Sequence, residues 1–202
     1  MLASKPGKYS AMAGTHSAIE GAIKLRQIPD FHLDKVKAIR IGVVEAMLHH
    51  GGFKLERPAA PIGAQMSHCY VVAVTLLDGS PSVRQFSPER INRDDVWNLL
   101  KRIEVYRDPE IETRGEEGRW GTRLTATFTD GRTEEISVSY PKGGARFPLS
   151  DTEIVRKFDR LTSLVMDPND AERLKSLVLD LENCRDVSEL CRLLSRDTRS
   201  PF

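Results

Sequence analysis

The sequence predicts an α+β fold: a two-layer sandwich of an antiparallel sheet with helices on one face, followed by a helical C-terminal segment. Three observations carry this. Within residues 61–80, PIGAQMSHCYVVAVTLLDGS, the run from Cys69 to Leu77 is interrupted only by Thr75. It is too short to span a bilayer, and it is apolar on every side, as a fully covered core helix is. Apolar residues at 39, 41 and 43, at 124, 126 and 128, and at 136, 138 and 140 alternate with the period of half-buried strands. Beyond residue 149 only helical spacing remains. The expected organisation is therefore an α+β domain over 1–148 and a helical segment over 149–202.

Residues 1–14, rich in Gly, Ala and Ser, read as loop. Ser17-Ala18-Ile19-Glu20 fits a capping box, with Ser bonding forward and Glu bonding back, and Ile19, Ala22 and Ile23 form the buried stripe of that helix. Residues 35–43 read as a strand and 44–50 as a short helix ending at Gly51-Gly52. A Pro/Ala loop over 57–60 leads into the central helix, which stops at Gly79. After a polar connection, Asp94 or Asp95 caps a helix carrying Val96, Trp97 and Leu100. Residues 103–107 read as a strand, followed by a solvated charged loop, RGEEGR. Asp130-Gly131 marks a hairpin. A two-residue loop would pair Phe128 with Thr133 and set the two apolar series on opposite faces. A three-residue loop, Thr129-Asp130-Gly131 with Gly131 left-handed, keeps them on one face, so a type I turn plus bulge is expected. Pro141-Lys142-Gly143-Gly144 reads as a loop. Ser150 to Glu153 is a second capping box, opening a helix with Ile154, Val155, Phe158 and Leu161 inward. Asp167-Pro168 starts a helix with Leu174, Leu177, Val178 and Leu181 inward. The last helix follows Asp186, with Val187, Leu190, Cys191 and Leu194 inward.

Thirty basic residues against 29 acidic ones give a net charge of +1, without the clustered excess that a nucleic-acid surface needs. Three cysteines with no CxxC argue against a disulfide framework and for a reducing compartment. Cys184 and Cys191, seven apart, would share a helix face as packing residues. The start, MLASKPGK, has no apolar h-region, so no signal peptide is visible and the cytoplasm is the default location.

The five histidines form no spaced ligand set. His49-His50 reads as a solvated helix terminus and Gly143-Gly144 as a turn rather than a phosphate cradle. Gly14-Thr15-His16-Ser17 is the stronger candidate, because a helix N-terminus attracts carboxylate or phosphate, with Lys5 and Lys8 close by in sequence. Polar groups also gather at the front of the central helix: Gln65, Ser67, His68 and the Tyr70 hydroxyl. His68 and Tyr70 could exchange protons there if desolvated.

Three stretches in order resemble the C-terminal half of the MmgE/PrpD family, which includes 2-methylcitrate dehydratase, cis-aconitate decarboxylase and iminodisuccinate epimerase. They are Lys8-Tyr9 with Gly14 to Glu20; Pro61 with Ala64 to Ser67, Tyr70 to Ala73 and Leu76 to Gly79; and Pro141 to Gly143 with Phe147 to Ser150 and Lys157-Phe158. The resemblance spans roughly residues 5–165. It implies the small α+β lid domain of a lyase acting on a small polycarboxylate by proton abstraction beside a carboxylate, with loss of hydroxide or CO2. In that reading Lys8 and the Thr15–His16 terminus hold a carboxylate, and His16 also exchanges a proton. Tyr70 positions substrate or shuttles a proton, and Gln65, Ser67 and His68 line the wall. No metal or organic cofactor is implied. The expected partners are the polycarboxylate, a helical domain in trans or from a longer parent, and further copies in a homo-oligomer such as a dimer, with no nucleic acid and no membrane. A non-catalytic anion- or partner-binding remnant, or an epimerase, is the alternative.

Overall fold

The computed structural model describes residues 7–115 and 118–202; Lys5 and the Glu116-Glu117 part of the charged loop lie outside them. Two compact units divide at Pro148 and Leu149. In the first, the strands are β1 (Val36–Val43), β2 (Ile103–Arg107), β3 (Thr122–Phe128) and β4 (Thr133–Val138). The helices are α1 (His16–Arg26), α2 (Glu45–Gly51), α3 (Pro61–Met66), α4 (His68–Asp78), α5 (Pro88–Ile91), α6 (Asp94–Leu100) and α7 (Pro109–Glu112).

The strands form one sheet in the order β2-β1-β3-β4. β3 is antiparallel to β1 and β4, but β2 runs parallel to β1, so the sheet is mixed and not antiparallel as expected. The long connection through α2 to α6 permits the crossover that a parallel pair requires. The hairpin follows the parity argument. Leu124 faces Ile136 and Thr122 faces Val138, the Phe128 amide donates to the Arg132 carbonyl at 2.8 Å, and Gly131 has φ 88°. β4 ends at Val138, so Tyr140 lies beyond the strand and enters the following loop.

α1 packs on β3 and β4, and α4 packs on α1 and β2. α4 is covered on both sides. Val72, Ala73 and Leu76 join Ile39, Ile41, Leu124 and Phe128 in the cluster against the sheet. Tyr70, Val71 and Val74 join Ile19, Phe86, Ile91 and Val96 in a second cluster behind it. The central stretch is not one helix. It breaks at Ser67, whose backbone is extended and whose Oγ accepts the Tyr70 amide at 3.2 Å, capping α4. The polar connection after Gly79 holds a 3-10 turn at Val83–Phe86 and then α5. α6 has no side-chain cap, because Arg93 occupies the cap position and Asp94 and Asp95 lie inside the helix, Asp95 accepting from Arg90 at 3.0 Å.

The Ser17–Glu20 capping box does not form. A 3-10 turn at Ala13–Thr15 runs directly into α1, which puts Ser17 and Glu20 inside the helix, and the first-turn position has no side-chain cap.

The second unit contains α8 (Asp151–Val165), α9 (Pro168–Leu179) and α10 (Ser188–Leu194). Ser150 and Glu153 form the expected capping box, and the Asp167 side chain accepts the Asn169 amide at 2.8 Å ahead of Pro168. The inward stripes are only partly right. Of the expected stripe residues Leu174 is buried, but Ile154, Val178, Leu181, Val187 and Leu194 are exposed, and the buried Leu193 lay outside the expected stripe; within this unit three short helices offer too little surface to cover all their apolar positions. The cysteine expectation fails as well. A 3-10 turn at Leu181–Asn183 leaves Cys184 off α10, and Cys191 is exposed. Among the described residues no helix is long and apolar enough to cross a membrane.

Candidate functional site

A cavity of about 230 Å³ opens in the first unit where three segments meet: the strap before α1, the turn at Trp120, and the loop after β4. Its walls include His16, Trp120, Tyr140, Lys142 and Arg146, and no Asp or Glu occurs among its described lining residues. Its size is below that of a pocket for a drug-sized ligand, about 300–1,000 Å³, and suits a small metabolite. The basic side chains favour an anionic one.

Each wall has a local cause. His16 opens α1 and is 4% exposed. Its Nε2 lies 3.1 Å from the Ala11 carbonyl, which can only accept, so Nε2 carries a proton. The Tyr9 ring meets it edge to face at 5.2 Å. The loop after β4 closes on itself, with the Gly143 amide donating to the Phe147 carbonyl at 2.7 Å. Arg146 stacks over the Tyr140 ring at 4.4 Å. This loop is tied to α1, since the Lys142 amide donates to Glu20 Oε1 at 2.9 Å. The Trp120 turn is tied to the same helix, where the Ser17 hydroxyl donates to the Trp120 carbonyl.

Of the described residues given a site role from the sequence, only His16 lines the cavity, and Gly143-Gly144, read as a turn, line it too. Lys8 is half-buried beside it in the strap, with Nζ 5.3 Å from the Tyr9 ring centre. Thr15 is buried, and its hydroxyl donates to the Met12 carbonyl at 2.8 Å. The Thr15 and His16 amides donate to the Met12 and Ala13 carbonyls, so the cavity's positive character comes from side chains and not from an open helix end. Gln65 ties the strap to α3, with Nε2 donating to the Ser10 carbonyl at 2.9 Å.

Ser67, His68 and Tyr70 are buried and do not line the cavity. The Tyr70 hydroxyl donates to the Gln85 carbonyl; burial pushes its pKa up, with Asp78 and Asp95 adding to the effect and Arg90 opposing it. Next to it, Arg90 grips Asp78 through two nitrogens at 2.6 and 2.8 Å. Burial works to raise the Asp78 pKa, but bonds from Arg90 and Gln85 outweigh it and hold the carboxyl below its usual range. His68 is sealed behind Gly14 and Gly51, neither ring nitrogen has an aligned hydrogen bond, and burial lowers its pKa.

Trp120 and Arg146 carried no sequence signal, Tyr140 read as part of a strand alternation, and Lys142 with Gly143-Gly144 read as a turn, its Pro141-Lys142-Gly143 counting only toward the family resemblance. Two glycines between two basic residues were the available hint. Nothing linear ties them to His16, more than 100 residues away.

Residues 9–183 match a family model described as the MmgE/PrpD C-terminal domain. The chain belongs to the MmgE/PrpD family. It is 35% identical over 193 residues to a cis-aconitate decarboxylase-like protein, oryM, of Aspergillus oryzae, covering 93% of this chain and 39% of that protein. It is 28% identical to cis-aconitate decarboxylase of Aspergillus terreus, covering 96% and 41%, and 30% identical to cis-aconitate decarboxylase of Homo sapiens, covering 93% and 39%. The chain thus spans about two fifths of the length of the curated relatives it matches. Among the described residues, no group of three or more His, Cys, Asp or Glu side chains could hold a metal ion.

Proposed function

We propose that this MmgE/PrpD chain is the C-terminal part of a lyase acting on a small polycarboxylate of the cis-aconitate type, with the cavity at His16 as its half of the active site. The observation that carries this is a small cavity lined by His16, Lys142 and Arg146 with no described acidic lining residue, in a chain whose relatives are cis-aconitate decarboxylases. Decarboxylation releases one carboxylate as CO2 and delivers one proton to the carbon left behind. Lys142 and Arg146 hold the remaining carboxylates by charge-assisted hydrogen bonds. His16 exchanges the proton, the role for which imidazole is suited near neutral pH. Dehydration uses the same two parts, with hydroxide leaving instead.

The other half of the site belongs to a helical domain, in trans or in a longer parent. The apolar residues left exposed in the second unit, among them Leu179 and Leu194 at 68% and 63%, support a partner surface there.

Turnover of cis-aconitate, 2-methylcitrate and iminodisuccinate by the chain alone and mixed with a helical-domain partner tests this reading. The mixture should turn over at least one of them, and His16→Ala should lower its rate by about 10²-fold or more, as loss of a general acid–base does. Turnover in neither case would sink the enzyme reading. Binding of tricarboxylate without turnover would favour a non-catalytic anion-binding remnant, which the basic cavity, complete within one unit, also fits.

A further inference from the structure

We infer that Glu20 and Ser17 are positioning residues that clamp two loop walls of the cavity, the post-β4 loop and the Trp120 turn, onto the helix that carries His16. This rests on the reading of the cavity as the substrate site. The Ser-x-x-Glu pattern has the spacing of a capping box, yet neither side chain caps α1. Each reaches across the fold. Glu20 Oε1 accepts the Lys142 amide at 2.9 Å over a separation of 122 residues. The Ser17 hydroxyl donates to the Trp120 carbonyl over a separation of 103.

The geometry of the helix makes these two contacts a single device. His16 and Glu20 are four apart, so they share a face about one turn from each other. The loop that carries Lys142 and Arg146 is closed internally by the Gly143–Phe147 bond and by the Arg146–Tyr140 stack. Glu20 ties this loop to the helix that carries the imidazole. Glu20 itself borders a second hollow on the far side of the loop, together with Lys24, Lys142 and Arg146. Because the acceptor is a carboxylate, its bond to the Lys142 amide is charge-assisted. Electrostatic placement of substrate groups against a proton donor depends on such pre-set geometry, because small displacements of a catalytic constellation lower rates steeply.

Amide hydrogen exchange on the full chain, read by NMR at Lys142, tests the clamp without any substrate. Glu20→Ala should speed exchange at Lys142 by about tenfold or more, the loss expected for a hydrogen bond to a charged group, while amides of β1 and β3 keep their wild-type rates. Glu20→Gln, which retains a carbonyl oxygen in the same place but loses the charge, should fall between wild type and Glu20→Ala. Wild-type exchange at Lys142 in Glu20→Ala would overturn the inference. Should Glu20→Ala melt the core, Glu20→Asp, one methylene shorter, decides: faster exchange at Lys142 supports the clamp and an unchanged rate overturns it. Ser17→Ala carries the matching expectation for the turn, read as altered chemical shift and faster exchange at Gly121, and unchanged spectra there would remove Ser17 from the device. Titration with cis-aconitate separates this from the functional reading. Wild-type chain whose His16 and Lys142 signals ignore cis-aconitate, alone and with the helical domain, refutes the substrate assignment and leaves the exchange result standing.

Discussion

Replacing Asp108 with Ala should be one of the most damaging single changes in the first unit. Asp108 follows β2 and caps α7, with its side chain fully buried. It accepts from Arg123 Nε and Nη2 at 2.7 and 2.6 Å, from the Glu110 and Ile111 amides at 3.0 and 3.4 Å, and from the Tyr106 hydroxyl at 3.2 Å. Losing the cap costs about 1 kcal/mol. Stranding the partner of a buried ion pair costs about 3–5 kcal/mol, which is reduced here because Arg123 is 16% exposed and keeps Glu110 at 2.7 Å. A total of about 3 kcal/mol follows, or a melting temperature lower by about 6–12 °C for a unit of this size. The pH dependence has a definite sign. Burial works to raise the Asp108 pKa, but the bonds from Arg123 and the Glu110 amide outweigh it and hold the carboxyl below its ordinary 3.8. A carboxyl depressed in the folded state stabilises fully above its unfolded pKa, about 3.9, and loses that contribution as pH falls through the folded value. Thermal melts followed by circular dichroism at neutral pH and near pH 2.5 should therefore show a large gap between wild type and Asp108→Ala that narrows in acid. A gap under about 2 °C at neutral pH, set against the shift expected from the size scaling, or one that persists undiminished in acid, would refute the reasoning.

Two further outcomes follow from the packing. A Cβ at Gly51 would lie 2.6 Å from both His68 Nδ1 and the Met66 carbonyl oxygen, and backbone cannot yield, so Gly51→Ala should cost about 1–3 kcal/mol of overpacking. Gly14→Ala meets the end of the flexible Met47 side chain at 2.6 Å and should cost less; equal losses in melting temperature would show that the backbone clash is not what matters. Burial pushes the Cys69 thiol up to about 11, with Glu104 adding to the effect. Iodoacetamide at mildly alkaline pH should therefore label exposed Cys191 well before Cys69, and mass spectrometry finding Cys69 modified first would contradict the burial.

The parts of the fold that depend on neighbours in sequence were legible. The hairpin register followed from side-chain parity around Asp130-Gly131, because a one-residue slip would turn every apolar residue of β3 or β4 outward. The burial of α4 followed from its apolar run, and the Ser150–Glu153 box from its spacing. Family membership was legible too, through motifs at three places in the chain, and the matched residues 9–183 bear it out. The same Ser-x-x-Glu spacing misled at residues 17–20, because the 3-10 turn before α1 moved the helix start and freed both side chains for distant partners. Tyr70 and His68 looked like a polar mouth because the sequence does not tell which end of a helix is covered. In the structure the second apolar cluster closes over Tyr70, and His68 is fully buried.

Sequence alone therefore determined the four strands and the longer helices, the hairpin register and the family, all properties of local periodicity and short spacing. Only the tertiary structure decided the parallel pairing of β2 with β1 and the assembly of the cavity. His16, Trp120 and the loop carrying Lys142 and Arg146 become neighbours when α1 docks on β3 and β4, and contacts across more than 100 residues leave no periodic trace in a single chain.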